Sequence, residues 1–249
     1  MELSGKIALV TGGTRGIGAA AAVALARAGA DIAITGRRLD DQAARVRDEI
    51  RSFGRRCELV KADHAIPAES VNSVKETESR LGAVDVVVHS AGGPVPGGLF
   101  DVTPEDWQRA FDVHVTAVYH LSRAVIPNMR KKRQGTIILV SSTAGIRGVI
   151  TNVAYQAAKG AIPQLTRALA REFANDNIRV NCVAPGVIRT DFHATMTEEQ
   201  KRINLEQRIP LHREGTPAQV GEVVLMLAKN DYITGETVVI DGGLTMRIA

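Results

Sequence analysis

Residues 6–18 read Lys6-Ile7-Ala8-Leu9-Val10-Thr11-Gly12-Gly13-Thr14-Arg15-Gly16-Ile17-Gly18, and this stretch predicts the fold. The apolar run 7–10 is typical of a buried parallel strand. A glycine-rich turn follows directly, and the alanine-rich segment 19–28 predicts a helix that ends at Gly29. Strand, glycine turn and helix form the context that a dinucleotide-binding motif requires.

The glycine turn is suited to holding a pyrophosphate. Glycine lets the backbone approach a ligand closely, and the following helix N-terminus offers amide donors and a partial positive charge. The spacing here is Gly-x-x-x-Gly-x-Gly rather than Gly-x-Gly-x-x-Gly. The structural alternative is a tight turn that only packs the helix closely against the sheet.

Strand-like runs alternate with helix-length segments along the chain. This alternation predicts right-handed βαβ units and a parallel sheet. We therefore expect an α/β fold, a Rossmann-type doubly wound parallel sheet with helices on both faces, in a single domain over 1–249. The irregular stretch 189–215 follows a strand end, where open α/β sheets bind ligands, so it is either a substrate lid or a surface loop. The predicted strands are 7–10, 31–35, 57–60, 84–89, 136–140, 179–183 and 237–240.

Composition argues against several classes of function. The formal net charge is only +4 over 249 residues, and the basic cluster 130–133 favours a solvated helix end over a nucleic-acid surface. Two cysteines, Cys57 and Cys182, make neither a disulfide framework nor a metal site. There is no signal-peptide pattern and no run of ~18 apolar residues. We expect a soluble, cytoplasmic protein without metal, nucleic-acid or membrane partners.

Tyr155 and Lys159 stand four residues apart in the segment 152–173, which predicts a helix despite Pro163. Residues i and i+4 share one helix face, although the same spacing is also ordinary helix-surface chemistry. A free phenol has a pKa near ~10, and an ammonium at ~4 Å contributes about 4 kcal/mol at an effective dielectric of ~20. We therefore expect Lys159 to lower the pKa of Tyr155 by up to about three units, into the range useful for proton transfer.

The order and spacing of these motifs resemble those of the short-chain dehydrogenase/reductase family, in its branch of roughly 250-residue single-domain enzymes. The resemblance covers nearly the whole chain. It rests on Thr11-Gly12-x-x-x-Gly16-Ile17-Gly18, Ala91-Gly92, Ser141-Ser142, Tyr155-x-x-x-Lys159, Arg179-Val180-Asn181, Pro185-Gly186 and Asp241-Gly242-Gly243.

The resemblance implies the roles of the catalytic residues. Tyr155 would be the proton donor in reduction and the base in oxidation. Lys159 would lower the phenol pKa and hydrogen-bond the nicotinamide ribose. Ser142, rather than Ser141, would hold the substrate carbonyl and stabilise its developing negative charge.

The resemblance also implies the cofactor contacts and the pocket wall. Asp63, after the third strand, matches an acid that contacts adenine. By position alone, Val149, Asn152, Phe192 and His193 line the substrate pocket. The remaining expected cofactor contacts are Gly12, Thr14, Arg15, Gly16, Ile17 and Gly18 in the glycine turn, Ser90, Ala91 and Gly92 after the fourth strand, Tyr155 and Lys159, and Pro185, Gly186, Ile188 and Thr190 around the nicotinamide carboxamide.

Two residues depart from the family pattern. Ser90 stands where the family usually has asparagine, and it is preceded by His89. His114 replaces the family's fourth catalytic residue, an asparagine that holds a water in a proton relay to the lysine. An imidazole can also donate and accept a hydrogen bond, so His114 either serves in such a relay or is a packed helix residue.

The end of the second strand predicts the choice of cofactor. An NAD enzyme would place an acid near position 36 to bind the ribose 2′-hydroxyl, but Gly36 stands there. Arg37 and Arg38 follow, and Arg15 lies in the glycine turn. Guanidinium groups bind phosphate through paired donors, so the pattern favours NADP over NAD.

The leading hypothesis is therefore an NADP(H)-dependent oxidoreductase that acts on a small-molecule ketone or secondary alcohol. A narrower alternative is a 3-oxoacyl-carrier-protein reductase, in which Arg133 and Arg171 would dock an acidic carrier. A different class is a non-catalytic NADP-binding regulatory protein, an alternative raised by Ser90 and His114. The C-terminal Asp241-Gly242-Gly243 motif resembles that of tetrameric relatives, so we expect a homotetramer.

Overall fold

A computed structural model describes residues 1–191 and 196–246 of the chain. Phe192 and His193, two of the expected pocket residues, lie outside these ranges, as does the segment 247–249. Within them the strands are β1 (Ile7–Thr11), β2 (Asp31–Gly36), β3 (Cys57–Lys61), β4 (Val86–His89), β5 (Gly135–Val140), β6 (Ile178–Pro185) and β7 (Thr237–Ile240).

The seven strands form one parallel sheet in the order β3-β2-β1-β4-β5-β6-β7. The strand order reverses between β1 and β4, and this switch point is where a doubly wound sheet opens a ligand crevice at the carboxyl ends of its strands. The prediction of a Rossmann-type parallel sheet is confirmed. The predicted strands are all present, with ends shifted by at most two residues.

Helices cover both faces of the sheet and fill two apolar layers. The helix predicted over 152–173 forms with Pro163 inside it, and the one predicted over 19–28 begins earlier, at Gly16. The described helices are α1 (Gly16–Arg27), α2 (Asp41–Ser52), α3 (Pro67–Arg80), α4 (Pro104–Phe111), α5 (Ala117–Lys132), α6 (Val153–Phe173), α7 (Glu198–Ile203) and α8 (Pro217–Lys229), with π-helical turns at Asp112–Thr116 and Asn204–Arg208.

The Arg179-Val180-Asn181 motif has a structural role. Arg179 is buried and donates to the backbone carbonyls of Leu227 and Ala228 at 2.7 and 2.8 Å, at the end of α8. Asn181 is also buried and pairs with the backbone of the connection that leads into β7. These side chains satisfy carbonyls that a helix end leaves without partners. The Arg-Val-Asn motif therefore holds α8 and the last strand in place.

Candidate functional site

The glycine turn between β1 and α1 forms a cradle that side chains would fill. Gly12 and Gly16 have positive φ angles of 64° and 56°, where glycine carries little strain. A Cβ on Gly18 would lie 2.3 Å from the carbonyl oxygen of Gly12. Glycine at position 18 therefore lets the turn pack directly against the start of α1, whose N-terminal amides and partial positive charge suit a pyrophosphate.

The loop after β6 faces this cradle. Thr190 lies 3.5 Å from the position of a Cβ on Gly16, and both residues line a cleft of about 410 Å³ together with Thr14 and Arg15. Pro185 ends β6, and the amide of Gly186 donates to Ile240 at 2.9 Å. Buried Ile188 pairs with Gly215 and so anchors the start of the segment 189–215. The predicted carboxamide loop and the glycine turn thus border one crevice.

The arginines expected to bind the 2′-phosphate differ in their surroundings. Arg15 forms an exposed ion pair with Asp40 at 2.7 Å, whereas Arg37 and Arg38 are exposed at the end of β2. Packing also favours glycine at position 36, because a Cβ there would lie 2.7 Å from Thr14 Cγ2. Arg15 is thus already paired with a carboxylate, so Arg37 and Arg38 remain the candidates for a phosphate contact.

Asp63, the expected adenine contact, is held by a side chain that the sequence analysis did not identify. Arg109 of α4 donates to Asp63 Oδ2 at 2.9 Å. Burial raises the pKa of Asp63, but hydrogen bonds from Arg109 and from the Ala65 amide outweigh it and keep the pKa below its usual value. Asp63 is therefore an ionised acceptor at neutral pH. Arg109 lies 46 residues further along the chain, a separation that gives no spacing signal for such a pairing.

The structure brings Ser142, Tyr155 and Lys159 together at the carboxyl end of β5. Ser142 follows this strand, and its side chain hydrogen-bonds the phenol of Tyr155. The ammonium of Lys159 lies 5.7 Å from the Tyr155 ring centroid and donates to the carbonyl of Val140 at 2.7 Å. Ser141 instead points into the core and donates to the carbonyl of Lys159 at 2.7 Å. Ser142 is thus the serine whose hydroxyl is directed toward Tyr155.

The expected depression of the Tyr155 pKa is wrong for the polypeptide by itself. Burial of the phenol raises the pKa of Tyr155 to about 12. The hydrogen bond from Ser142 lowers this pKa, but by less than burial raises it. Desolvation of the phenol is the larger effect, and Lys159, whose own burial lowers its pKa to about 8, does not offset it. Helical spacing places the two groups on one face but does not predict what their burial costs.

His114 lies against the catalytic tyrosine, on the π-helical turn Asp112–Thr116. Its Nε2 donates to the carbonyl of Gly93 at 3.2 Å, so Nε2 carries the ring proton and Nδ1 is an acceptor. Nδ1 is buried without a hydrogen-bond partner among the described residues. Burial, and then the charge of Lys159, hold the pKa of His114 well below its usual value. The site therefore contains a neutral imidazole with one free lone pair.

His89 supports the turn that carries His114, a connection that the sequence analysis missed. The Oγ1 of Thr11 accepts from the amides of Ser90 and Ala91, so its own proton goes to His89 Nδ1 at 2.9 Å. His89 Nε2 then donates to the carbonyl of Val113 at 3.0 Å. The sequence did offer one indication of this contact, because His89 is a polar residue at the end of a predicted buried strand.

Comparison with known proteins agrees with this geometry. Residues 12–245 match the family model described as Enoyl-(Acyl carrier protein) reductase. The 3-oxoacyl-[acyl-carrier-protein] reductase FabG of Vibrio cholerae is 37% identical over 249 residues, which cover 99% of this chain and 100% of that protein.

Two solved structures share the fold over nearly their whole length. The blue fluorescent protein from a metagenomic library, in complex with NADPH, has a TM-score of 0.92 at 35% identity and covers 98% of this chain and 100% of its own. A short-chain type dehydrogenase/reductase from Mycobacterium marinum has a TM-score of 0.92 at 35% identity, covering 99% and 98%. With the glycine cradle and the Ser142–Tyr155–Lys159 cluster, these matches show that the chain belongs to the short-chain dehydrogenase/reductase family of oxidoreductases.

Proposed function

We propose that the protein is an NADP(H)-dependent oxidoreductase that transfers a hydride between the nicotinamide and a ketone or secondary alcohol. The observation that carries this proposal is the clustering of Ser142, Tyr155 and Lys159 beside the carboxyl end of β5. These groups supply a hydrogen-bond donor, a proton donor and a cation within one site. A ketone needs all three when a hydride reaches its carbon, because negative charge then develops on its oxygen.

The choice of NADP is supported by the end of β2. Gly36 has no carboxylate to repel a 2′-phosphate, and Arg37 and Arg38 are exposed beside it. The similarly folded blue fluorescent protein is a complex with NADPH. The residues that would hold the cofactor are those of the glycine cradle, Arg37, Asp63 and the loop from Pro185 to Thr190.

The mechanism follows from the protonation states of the site. NADPH, when bound, supplies the hydride. Ser142 then donates a hydrogen bond to the substrate oxygen, and the hydroxyl of Tyr155 transfers its proton to that oxygen to complete the alcohol. A phenol pKa of about 12 keeps this proton in place at neutral pH until an alkoxide forms, which favours the reductive direction.

The tyrosine must regain its proton before the next turnover. Lys159 is the neighbouring cation, and its pKa of about 8 makes it a ready proton donor at neutral pH. We assign His114 to the exchange of this proton with solvent, because its Nδ1 is an acceptor without a partner among the described residues and faces the same site. A bridging water has a suitable acceptor there.

Loss of NADPH absorbance with a panel of ketones tests the proposal. We expect turnover of at least one ketone, with NADPH preferred over NADH. Binding of NADPH without turnover of any ketone would instead support a non-catalytic NADP-binding protein.

A 3-oxoacyl-carrier-protein reductase is the second candidate, favoured by the similarity to the Vibrio cholerae FabG. Arg133 ends α5 in the left-handed conformation, and both Arg133 and Arg171 are exposed. If they dock an acidic carrier protein, Arg171→Ala will raise KM for a carrier-bound 3-oxoacyl thioester and leave KM for the free thioester unchanged. Equal effects on both substrates would exclude this role.

We also propose how the enzyme is organised. The segment 189–215, which holds α7 and the turn Asn204–Arg208, is assigned as the substrate lid. We propose a homotetramer in the cytoplasm, because Val239 and Met246 leave apolar surface exposed near the C-terminal motif and both cysteines are free. Sedimentation at micromolar concentration tests the assembly, and a species of only ~27 kDa would refute it.

Among the described residues, no helix is both long and apolar enough to cross a bilayer.

A further inference from the structure

The loop 149–152 lies between the two proposed catalytic side chains in sequence, since Ser142 precedes it and Tyr155 follows it. It is paired with the loop after β4. The amide of Gly97 donates to the carbonyl of Thr151 at 2.8 Å, and the amide of Val153 donates to the carbonyl of Gly97 at 3.1 Å. Two connections that leave neighbouring strands of the sheet are thereby joined into one wall beside the N-terminal end of α6, the helix that carries Tyr155.

This wall includes a strained residue. Thr151 has a φ of 59°, a conformation that a β-branched side chain rarely adopts. Such strain persists where the surrounding contacts over-determine the backbone. The neighbouring Ile150 is 86% exposed, so burial of apolar surface does not hold this part of the loop. Hydrogen bonds must do so.

The carboxamide of Gln156, which directly follows the catalytic tyrosine, provides these hydrogen bonds. Its Oε1 accepts from the amide of Val149 at 2.6 Å. Its Nε2 donates to the carbonyls of Val149 and, at 3.2 Å, of Asn152. One side chain thus pairs with both backbone groups of one residue, as a neighbouring strand would, and also with the end of the loop.

A second anchor lies just before this loop. The guanidinium of Arg147 donates twice to the carbonyl of Thr245, at 3.0 and 3.3 Å. Thr245 belongs to a C-terminal turn in which Asp241 accepts from its amide and hydroxyl, both at 2.7 Å. Arg147 therefore fixes where the loop begins, and Gln156 fixes its path toward Tyr155.

We propose that Gln156 is a positioning residue that sets substrate specificity by holding the loop 149–152 as one wall of the substrate site. This inference rests on the proposed function. Because the hydrogen bonds of the Gln156 side chain go to the backbone of this wall, its loss acts on ketone binding more than on proton transfer. Bulky ketones, which contact more of the wall, depend on it more than small ones.

The experiment compares Gln156→Met, which keeps side-chain length but removes the hydrogen bonds, with the parent enzyme. We expect KM for a bulky ketone to rise about tenfold, with kcat and the Kd of NADPH changed less than about threefold. Gln164→Met on the exposed face of α6 is the matched control, because within residues 1–191 and 196–246 the hydrogen bonds of its amide go only to Arg167. An unchanged KM, or a fall in kcat without a change in KM, would overturn the proposal.

A second variant tests the hydrogen bonds directly. Gln156→Glu places a carboxyl between the same backbone groups. When neutral it can accept from Val149 and still donate to a carbonyl, but when ionised it has no donor. Its KM relative to that of the parent should therefore fall as the pH is lowered from about 8 to about 5. A ratio independent of pH would contradict the assignment.

Amide hydrogen exchange separates failure of this inference from failure of the proposed function. The amide of Val149 should exchange about tenfold faster in Gln156→Met than in the parent, whether or not any ketone is reduced. If the parent reduces no ketone, the proposed function fails while this result still decides whether Gln156 holds the loop. Unchanged exchange would show that it does not.

Discussion

The imidazole of His114 stands edge-on to the phenol ring of Tyr155, with ring centroids 5.6 Å apart and planes at 84°. Gly92 makes room for this arrangement, because a Cβ there would lie 2.0 Å from His114 Cε1. The imidazole is held on one side by the carbonyl of Gly93, which leaves Nδ1 as an acceptor. A donor and an acceptor of protons therefore share one buried space.

If His114 exchanges protons with Lys159, then a side chain that can accept a hydrogen bond should preserve turnover better than an apolar one. We expect His114→Asn to keep kcat within several-fold of the parent and His114→Leu to lower it at least about tenfold. Steady-state kcat with NADPH and a ketone measures this. Equal kcat in the two variants, with both folded by circular dichroism, would assign His114 to packing.

The pH dependence of reduction follows from Lys159. Burial lowers its pKa to about 8, and reduction needs the protonated form to resupply Tyr155. The kcat for ketone reduction should therefore be constant below about pH 7 and fall as the pH rises through about 8. A profile that stays flat to about pH 10, near the ordinary lysine pKa of ~10.4, would show that Lys159 is not the group that titrates.

Acid should unfold this protein more readily than a variant without its buried histidines. Burial lowers the pKa of His64 to about 4 and that of His89 to about 3. The unfolded chain, with histidine pKa values near ~6.5, then binds more protons than the folded one below about pH 6.5. Stability is thus lost as the pH falls from about 6.5 to about 4, by about 3 kcal/mol for His64 alone.

Urea unfolding between about pH 7.5 and about pH 5 measures this loss. The free energy of unfolding should depend less on pH in His64→Gln than in the parent, even if the variant is less stable at every pH. His120→Gln, at a half-buried position on α5, is the control. An identical pH slope in His64→Gln and the parent would contradict the assignment of His64 as a buried neutral group.

The secondary structure could be predicted because local patterns of apolar and polar residues indicate it. Apolar runs that are buried on both faces, as at Ile7–Thr11, mark parallel strands whatever they pair with. Ser142 and Tyr155 could also be identified from the sequence, because motif spacing and the family resemblance both point to them. The partners of Asp63, His89 and Val149 could not be predicted, because each is supplied by an element distant in sequence or by a loop path that no periodicity describes. The direction of the Tyr155 pKa shift was missed for a related reason, since desolvation depends on every neighbour at once.

Cofactor preference should depend on Arg37. Arg37→Ala removes a partly exposed charge-assisted contact to the 2′-phosphate, which is worth about 1.5–3 kcal/mol, or roughly 10- to 150-fold in affinity. The ratio of kcat/KM with NADPH to that with NADH should fall by this factor, and Arg167→Ala on α6 is the control. Gly36→Asp is a poorer probe because its side chain would displace Thr14. An unchanged ratio would show that Arg37 does not bind the phosphate.

The central claim is that Tyr155 transfers the proton in an NADP(H)-dependent reduction. The most direct test is kcat for ketone reduction by Tyr155→Phe, measured beside the Kd of NADPH for the same variant. Because the substitution removes one hydroxyl and keeps the ring against His114, we expect kcat to fall about 10²- to 10⁴-fold while the Kd stays within a few-fold of the parent. A kcat within a few-fold of the parent would contradict the account.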